Sequence, residues 1–424
     1  MNILFLGTGY VGLVSGTCFA ELGANVTCVD IDAGKIESLK KGIIPIYEPG
    51  LEELVKKNYK NKKLIFSADV SASIKKADVI FIAVGTPSDK SGAADLTYVF
   101  EVAESIARNA KNNVLVITKS TVPVGTGEKI KNKIKKLNPK LKFHIASNPE
   151  FLREGSAVSD FMKPDRVVIG VESDFAKEIL AKLYKPLTKK APLIVTNLKS
   201  AELAKYAANS YLAMRIAFVN ELADLCDVSN ANIDDVTHIM GLDFRIGKHY
   251  LKCGPGFGGS CFPKDTRAFC NISNNFNSPS KIIEAVINSN ENHKLKMVEK
   301  IVKAAGNKVR GKKIAILGTA FKANTDDIRD SASLVIIEQL AKKGGDLSIY
   351  DPEALENTKK YFAKTKGLKF TKSIKEAVNG AVVIVIATEW QEFKNLKNIN
   401  KNSTIVDLRN IIGSSKNKIV GLGK

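Results

Sequence analysis

Cys261 lies in the stretch Gly256-Phe257-Gly258-Gly259-Ser260-Cys261-Phe262-Pro263-Lys264-Asp265. A thiol here follows a run of backbone with almost no side chain, and a cation and a carboxylate come three and four residues later. Glycines let the chain adopt positive φ and pass close to a ligand. A neighbouring lysine can hold a thiol as thiolate, the form that attacks carbon. A buried cysteine is more often an inert small hydrophobe. The glycine density and the flanking Lys264 and Asp265 set this one apart from Cys18, Cys28, Cys226 and Cys270, whose helix or strand surroundings read as core. Cys253 is nearer the loop but has no matching setting.

A second feature gives that thiol a companion. Gly7-Thr8-Gly9-Tyr10-Val11-Gly12 follows the apolar run Met1 to Leu6 and opens an Ala/Leu-rich helical stretch. A second apolar run, Asn25 to Val29, ends in Asp30, eighteen residues after Gly12. Strand, glycine turn, helix, strand and acid make one βαβ unit that binds a dinucleotide. The glycines admit a pyrophosphate at the helix N-terminus. Asp30 accepts from ribose hydroxyls and disfavours an extra phosphate there, and Lys35 is close enough to share the pocket. A nucleophilic cysteine beside a hydride acceptor points to oxidation through a thiol-bound intermediate.

Other residues carry weaker signals. Thr86 in Gly85-Thr86-Pro87 and Thr121 in Ser120-Thr121-Val122-Pro123 place hydroxyls at a sheet's carboxyl edge, where ligands bind. Capping of the following helices accounts for them equally well. Glu150 and Glu154 sit on a short post-strand segment. One of them could activate water, although acids at a helix N-terminus are the simpler reading of that segment taken alone. Lys205 and Asn209 share one helical face, where a lysine could stabilise an oxyanion or simply be solvated.

These groups need a framework. Strands are expected at Val79–Val84, Val114–Thr118, His144–Ala146 and Val167–Gly170, with helical patterns between several of them. That alternation implies a doubly wound parallel sheet over roughly the first 190 residues. From Lys199 to about Val228 there is no Gly or Pro. Such a helix would run ~45 Å, bridge two domains and offer a face for dimerisation. More helix is expected near Ile282–Ala305. A strand signal restarts at Gly311–Gly318. A helix near Ser333–Lys343 and strands at Leu347–Tyr350, Val382–Ala387 and Thr404–Asp407 follow. The expectation is α/β, with two Rossmann-like doubly wound domains joined by a long central helix. Residues 1–198 form the NAD-binding domain, 199–305 the central helical and cysteine region, and 306–424 a second α/β domain. The latter lacks a full G-x-G-x-x-G, so a different nucleotide could dock there.

Composition narrows the classes. With 424 residues, 44% hydrophobic and 25% charged, two or three globular domains are expected. No run reaches the roughly 20 apolar residues that span a bilayer. The N-terminus lacks the basic start of a signal peptide, so a cytoplasmic location and no membrane partner are expected. None of the six cysteines forms a C-x-x-C pair and the four histidines show no ligand spacing, so neither a metal nor a disulfide framework is expected. The net charge of +20 comes from lysines scattered singly and in pairs. Without basic blocks interleaved with aromatics, it reads as surface composition rather than a nucleic-acid interface.

Taken together, Gly7–Gly12, Gly85-Thr86-Pro87, Ser120-Thr121-Val122-Pro123, Asn148-Pro149-Glu150-Phe151-Leu152, Lys205–Asn209, Gly256–Asp265, Phe321-Lys322, Arg329 and Arg409 closely resemble the UDP-glucose 6-dehydrogenase family, within the wider nucleotide-sugar 6-dehydrogenases. The resemblance covers nearly the whole chain. It implies two successive oxidations of a UDP-glucose 6-hydroxyl by NAD, through a thiohemiacetal and then a thioester on Cys261. By the same resemblance Thr121 and Asp265 hold the catalytic water, Glu150 assists hydrolysis, and Lys205 and Asn209 stabilise oxyanions. NAD is held by Gly7, Gly9, Tyr10, Val11, Gly12, Asp30, Lys35, Thr86 and Thr121. Lys264 and Arg329 help retain it, with Glu154 at the nicotinamide end. The nucleotide sugar meets Glu150, Phe151, Leu152, Arg153, Glu154, Lys205, Asn209, Tyr250, Leu251, Lys252, Cys253, Gly254, Gly258, Lys322 and Arg409. Arg245 reaches a neighbouring subunit's substrate, which implies a homodimer. The family's segment around Arg409 is often Asp-Gly-Arg, whereas this chain has Asp407-Leu408-Arg409. Oxidation of UDP-N-acetylmannosamine or GDP-mannose, and a non-catalytic NAD-binding role, are the alternatives.

Overall fold

The computed structural model describes residues 1–89, 91–396, 400–413 and 415–424. Two compact units divide the chain, Met1–Ala208 and Asn209–Lys424.

In the first unit eight strands form one sheet. They are β1 (Asn2–Leu6), β2 (Asn25–Val29), β3 (Leu64–Ser67), β4 (Val79–Ile82), β5 (Val114–Thr118), β6 (Phe143–Ser147), β7 (Val167–Val171) and β8 (Leu193–Thr196). Their order is β3-β2-β1-β4-β5-β6-β7-β8. Every residue of β4 and β5 is buried, which is why these strands read as continuous apolar runs: helices cover both faces of a parallel sheet. Alternate side chains feed two cores. Phe5 and Phe81 stack with ring centroids 4.6 Å apart on one face, while Leu4, Leu6, Ile80 and Ile82 fill the other.

The sheet is not wholly parallel. β6 and β7 pair antiparallel, Ala146 opposite Val171 and Ser147 opposite Gly170. The intervening residues 148–166 contain only the six-residue helix Ala157–Met162. At ~9 Å such a helix is too short to carry the chain back across the sheet, so β7 returns from the same edge. β7 and β8 then pair parallel to each other.

The second unit repeats the order of the first six strands. β9 (Lys313–Leu317), β10 (Asp346–Tyr350), β11 (Leu368–Phe370), β12 (Val383–Ile386), β13 (Thr404–Asp407) and β14 (Ile419–Val420) run β11-β10-β9-β12-β13-β14, all parallel. Each sheet therefore reverses strand order beside its first strand, β1/β4 and β9/β12. A switch point of that kind opens a crevice at the strands' carboxyl ends, where ligands bind.

The helix Leu198–Ser229 spans 32 residues, and the division between the units falls inside it. Among the described residues, no helix is long and apolar enough to cross a membrane, and no group of three or more His, Cys, Asp or Glu side chains could hold a metal ion.

Candidate active site

The glycine turn after β1 has two kinds of glycine. A Cβ on Gly7 would lie 2.5 Å from the Ala83 carbonyl oxygen, and one on Gly12 would lie 2.0 Å from that of Gly7. Both positions are closed by the protein's own backbone. Gly9 faces nothing within 4 Å, which leaves its backbone open at the N-terminus of helix Tyr10–Glu21. A pyrophosphate needs that opening and those N–H groups. Asp30, at the end of β2, accepts from the Thr8 N–H at 2.9 Å, the Thr8 hydroxyl at 2.7 Å and the Lys35 ammonium at 3.1 Å. Burial pushes its carboxyl up, but these donors outweigh it and hold it at about 2. A permanent anion beside the turn suits ribose hydroxyls, and the residues fit NAD. The Tyr10 hydroxyl donates to the buried Glu48 carboxylate. Glu48 also accepts from the Gly155 N–H at 2.6 Å and the Ala157 N–H at 2.7 Å, so it fixes the backbone on either side of Ser156, next to Glu154.

The second unit has a turn at the corresponding place, Gly318-Thr319-Ala320, with a different outcome. Asp351, after β10, occupies the place Asp30 has after β2. It is 1% exposed and accepts from Thr319 N, Ala320 N, Glu353 N, Ala354 N and the Trp390 indole. Its carboxylate oxygens are taken up internally, which sets it apart from the partly exposed Asp30.

At the carboxyl edge of the first sheet the loops are tied together. The Thr86 hydroxyl donates to the Thr121 carbonyl at 2.9 Å, and the Ser120 hydroxyl to the Val84 carbonyl at 2.6 Å. Glu202 accepts from Gly125 N at 2.6 Å and Gly127 N at 2.7 Å. It thereby pins the chain just beyond Thr121 and caps helix Thr126–Leu137. After β6, Glu150 is buried against Lys205, with Oε1 2.8 Å from the ammonium, and it accepts from Leu152 N at 2.5 Å. Burial drives its carboxyl up. The Lys205 charge and hydrogen bond, the Leu152 N–H and the Lys119 charge oppose this, and hold it below the ordinary range. The Phe151 ring lies under the Arg166 guanidinium at 3.7 Å and near the Lys205 ammonium at 5.6 Å. Arg153 forms a bidentate pair with Asp160 at 2.6 and 3.0 Å.

In the second unit Cys261 is the N-cap residue of helix Phe262–Asn275, with Pro263 in the first turn. Its carbonyl accepts from Asp265 N at 2.8 Å and its Sγ lies 3.5 Å from the Ser260 hydroxyl. A helix N-terminus favours an anion. Asp265, 1% exposed, is paired with the adjacent Lys264 ammonium and accepts from the Asn209 amide at 2.6 Å. Burial raises the Cys18 and Cys28 thiols to about 12 and Cys253 to about 11.

The glycine loop ahead of Cys261 is clamped from several elements. Gly254 N donates to Asn220 at 2.9 Å, and the Gly254 carbonyl meets His293 Nε2 at 2.9 Å. Asn290 reads both polar groups of Phe257, at 2.8 and 3.1 Å. Gly259 N donates to the Arg329 carbonyl at 2.8 Å, while the Arg329 side chain pairs with Asp327. Gly258 has no room for a Cβ, which would lie 2.5 Å from the Asp330 carbonyl oxygen. Tyr250 holds φ at 60°. The Leu251 and Cys253 side chains pack into the apolar core, whereas Lys252 is exposed. Arg409 donates to the Ala387 and Phe321 carbonyls at 2.9 and 2.8 Å, and a Cβ on Gly254 would approach its guanidinium. Lys322 sits over the Phe321 ring at 5.5 Å. Leu408 is fully buried, and the left-handed φ falls instead on Asn410. The side chain at 408 is thus accommodated without strain. Arg245 pairs with Asp243, and its side chain is 75% exposed.

Residues 1–188 match the NAD binding domain of the UDP-glucose/GDP-mannose dehydrogenase family. Residues 199–292 match its central domain, and 315–414 its UDP binding domain. The chain belongs to this family. A UDP-glucose 6-dehydrogenase of Rhizobium meliloti is 47% identical, with 97% of this chain and 95% of that protein covered. One of Bacillus subtilis is 44% identical, covering 99% and 91%. Among solved structures, a UDP-glucose dehydrogenase from Pyrobaculum islandicum superposes with a TM-score of 0.92 at 37% identity, covering 97% of this chain and 94% of that one. As a member of the family the protein is an NAD-dependent oxidoreductase with a nucleotide-sugar substrate.

Sequence reasoning did not find Glu48, Lys119, Arg166, Tyr184, Glu202, Asn220, Asn290 or His293. Most serve residues far away in the chain, and local spacing carries no trace of that. Lys119 had a visible signal: it directly continues the wholly buried strand Val114–Thr118.

Proposed function

We propose that the protein oxidises UDP-glucose to UDP-glucuronate in two steps, with Cys261 as the tether. Bound NAD supplies the hydride acceptor for each oxidation. In the first, C6 loses a hydride and its hydroxyl a proton, giving an aldehyde. The Cys261 sulfur adds to that carbonyl and forms a thiohemiacetal. A second hydride leaves the same carbon, the thiohemiacetal hydroxyl gives up its proton, and a thioester remains. Water then breaks the C–S bond, releasing the carboxylate and restoring the thiol. Tethering keeps the reactive aldehyde in place between the oxidations.

The observation that carries this reading is the placement of Cys261 at the start of a helix whose first turn holds Lys264 and the buried Asp265. Asp265 and Thr121 are assigned to the hydrolytic water, Glu150 to its activation, and Lys205 and Asn209 to the oxyanions. Lys264 and Arg329 help retain NAD. The Phe151–Glu154 and Tyr250–Gly254 segments, with Gly258, Lys322 and Arg409, are assigned to the nucleotide sugar. A homodimer fits the exposed Arg245 and the apolar side chains along the long helix, of which Tyr211, Phe218 and Leu225 are all exposed. A purely NAD-binding role has no use for a buried Lys205–Glu150 pair and the Cys261 turn together. A competition assay across UDP-glucose, UDP-N-acetylmannosamine and GDP-mannose tests the substrate. Preference for UDP-glucose is expected, and no preference would overturn the assignment.

A further inference from the structure

Helix Thr126–Leu137 starts from Gly125, which holds φ at 90° and has no side chain to cap it. Helices Ala33–Lys40, Val70–Lys76 and Asp174–Tyr184 are capped by their own Asp32, Asp69 and Ser173. Here the cap arrives from 75 to 77 residues away. Glu202, 2% exposed, accepts from Gly125 N on Oε2 at 2.6 Å and from Gly127 N on Oε1 at 2.7 Å. Gly127 leaves room for that approach. A Cβ there would lie 3.2 Å from Glu202 Oε1 and 3.3 Å from Leu198 Cδ1, although alanine is the better helix former. A local Asp or Ser would cap the helix as well. What a distant carboxylate adds is a fixed relation between two segments.

Both segments carry site residues. On one side, Gly125 is joined to Thr121 by Val122-Pro123-Val124. Val122 is buried in the core, and the Pro123 ring fixes its own φ. The Pro123 carbonyl accepts from the Thr126 hydroxyl at 2.6 Å and the Thr126 N–H at 3.1 Å. So stiff a stretch passes a shift at Gly125 on towards Thr121. On the other side, Lys205 follows Glu202 by one turn of the long helix and meets Glu150 at 2.8 Å. Lys199 and Glu128 also join the two helices, at 3.0 Å, but their side chains are about half exposed, and such a pair contributes little. Leu198 shares a core with Val122, Ile130 and Ile134, and apolar contact is not directional. Glu202 supplies the direction, because each of its oxygens meets one N–H.

We propose that Glu202 is a positioning residue for the hydrolytic step: it fixes the Thr121 segment relative to the turn of the long helix that carries Lys205, and through Lys205 relative to Glu150. The inference rests on the roles given above to Thr121 and Glu150. Attack of water on the thioester needs the group that holds the water and the carboxylate that activates it in one arrangement. Those two groups stand on different segments, one after β5 and one after β6, and a small misplacement of either costs rate. The hydride transfers do not use that water, so loosening the Thr121 segment falls on hydrolysis.

The test is rapid-mixing NADH formation from UDP-glucose and NAD, with intact-protein mass read in parallel. It is run at pH 8, above the value of about 7 to which burial lifts the Glu202 carboxyl. In Glu202→Ala the first two NADH per active site should appear at the parent's rate. Steady-state turnover should fall on the order of ten- to a hundredfold, and the protein should accumulate the mass of the Cys261 thioester. Glu202→Gln keeps one acceptor and should fall between the two. Gly127→Ala covers the case in which Glu202→Ala does not fold: it keeps Glu202, improves the helix former and displaces the carboxylate, and should slow hydrolysis roughly threefold. Early NADH and turnover slowed by the same factor, with no thioester accumulating, would overturn the proposal, because a merely structural role has that signature. So would parent-like hydrolysis in Glu202→Ala. One NADH per sugar in the parent is a separate failure, seen without any variant; it would overturn the two-step reading, and the inference with it.

Discussion

The Lys205 ammonium lies 2.8 Å from the Glu150 carboxylate, and the two side chains are only 3% and 6% exposed. Removing one member strands the other. Lys205→Met should destabilise the protein by about 3 kcal/mol, in the range for a broken buried pair, with Lys119 still offering Glu150 some compensation. Turnover should fall at least ~100-fold, since the group proposed to stabilise the oxyanion is lost. The double variant Lys205→Met/Glu150→Gln should recover most of the stability and none of the activity. Denaturant melts and steady-state rates of the two variants check this; an unstable double variant would count against a compensated pair.

Asp30 makes a separate prediction. Asp30→Ala removes the acceptor at the end of β2 and should raise KM for NAD by ~10- to 100-fold, the equivalent of losing a hydrogen bond to a charged group. The discrimination against NADP should shrink. Because the folded carboxyl is held at about 2, below its unfolded value, the stability it contributes is present above about pH 4 and lost as pH falls through 2. NAD affinity in the parent should therefore be flat from pH 5 to 8 as far as Asp30 is concerned, which fluorescence titration with NADH can measure.

Glu202 behaves in the opposite sense. Burial lifts its carboxyl to about 7 against the two N–H groups of Gly125 and Gly127. The folded state therefore binds a proton that the unfolded chain has already released. Its contribution is fully present below about pH 4.5 and lost as pH rises through 7. Relative to Glu202→Gln, which cannot titrate, the parent should lose about 3 kcal/mol between pH 4 and pH 8. Paired thermal melts across that range read the difference. Parallel curves would mean that Glu202 does not titrate there.

What the sequence disclosed was local. Gly7 to Gly12 and Asp30 are joined by one strand, one turn and one helix, so their geometry follows from spacing. Cys261, Lys264 and Asp265 fall within a single helical turn for the same reason. The long helix was legible because nothing between Lys199 and Val228 breaks it. What stayed hidden depends on contacts between distant segments. Glu48 bonds Gly155, 107 residues away, and Glu202 bonds Gly125 from 77 residues away. The antiparallel return of β7 was missed because Val167 to Gly170 looks the same whichever way the strand runs. Asp351 shows a limit of the motif itself. Its turn resembles that of Asp30, yet the indole of Trp390, 39 residues on, helps saturate it.

The most direct test of the proposed chemistry counts hydrides. UDP-glucose incubated with excess NAD should yield two NADH for each sugar consumed, with the uronate as product, and Cys261→Ser should fail to complete turnover while binding NADH normally. One NADH per sugar, with free aldehyde accumulating, or full activity in Cys261→Ser, would contradict oxidation through a cysteine-bound intermediate.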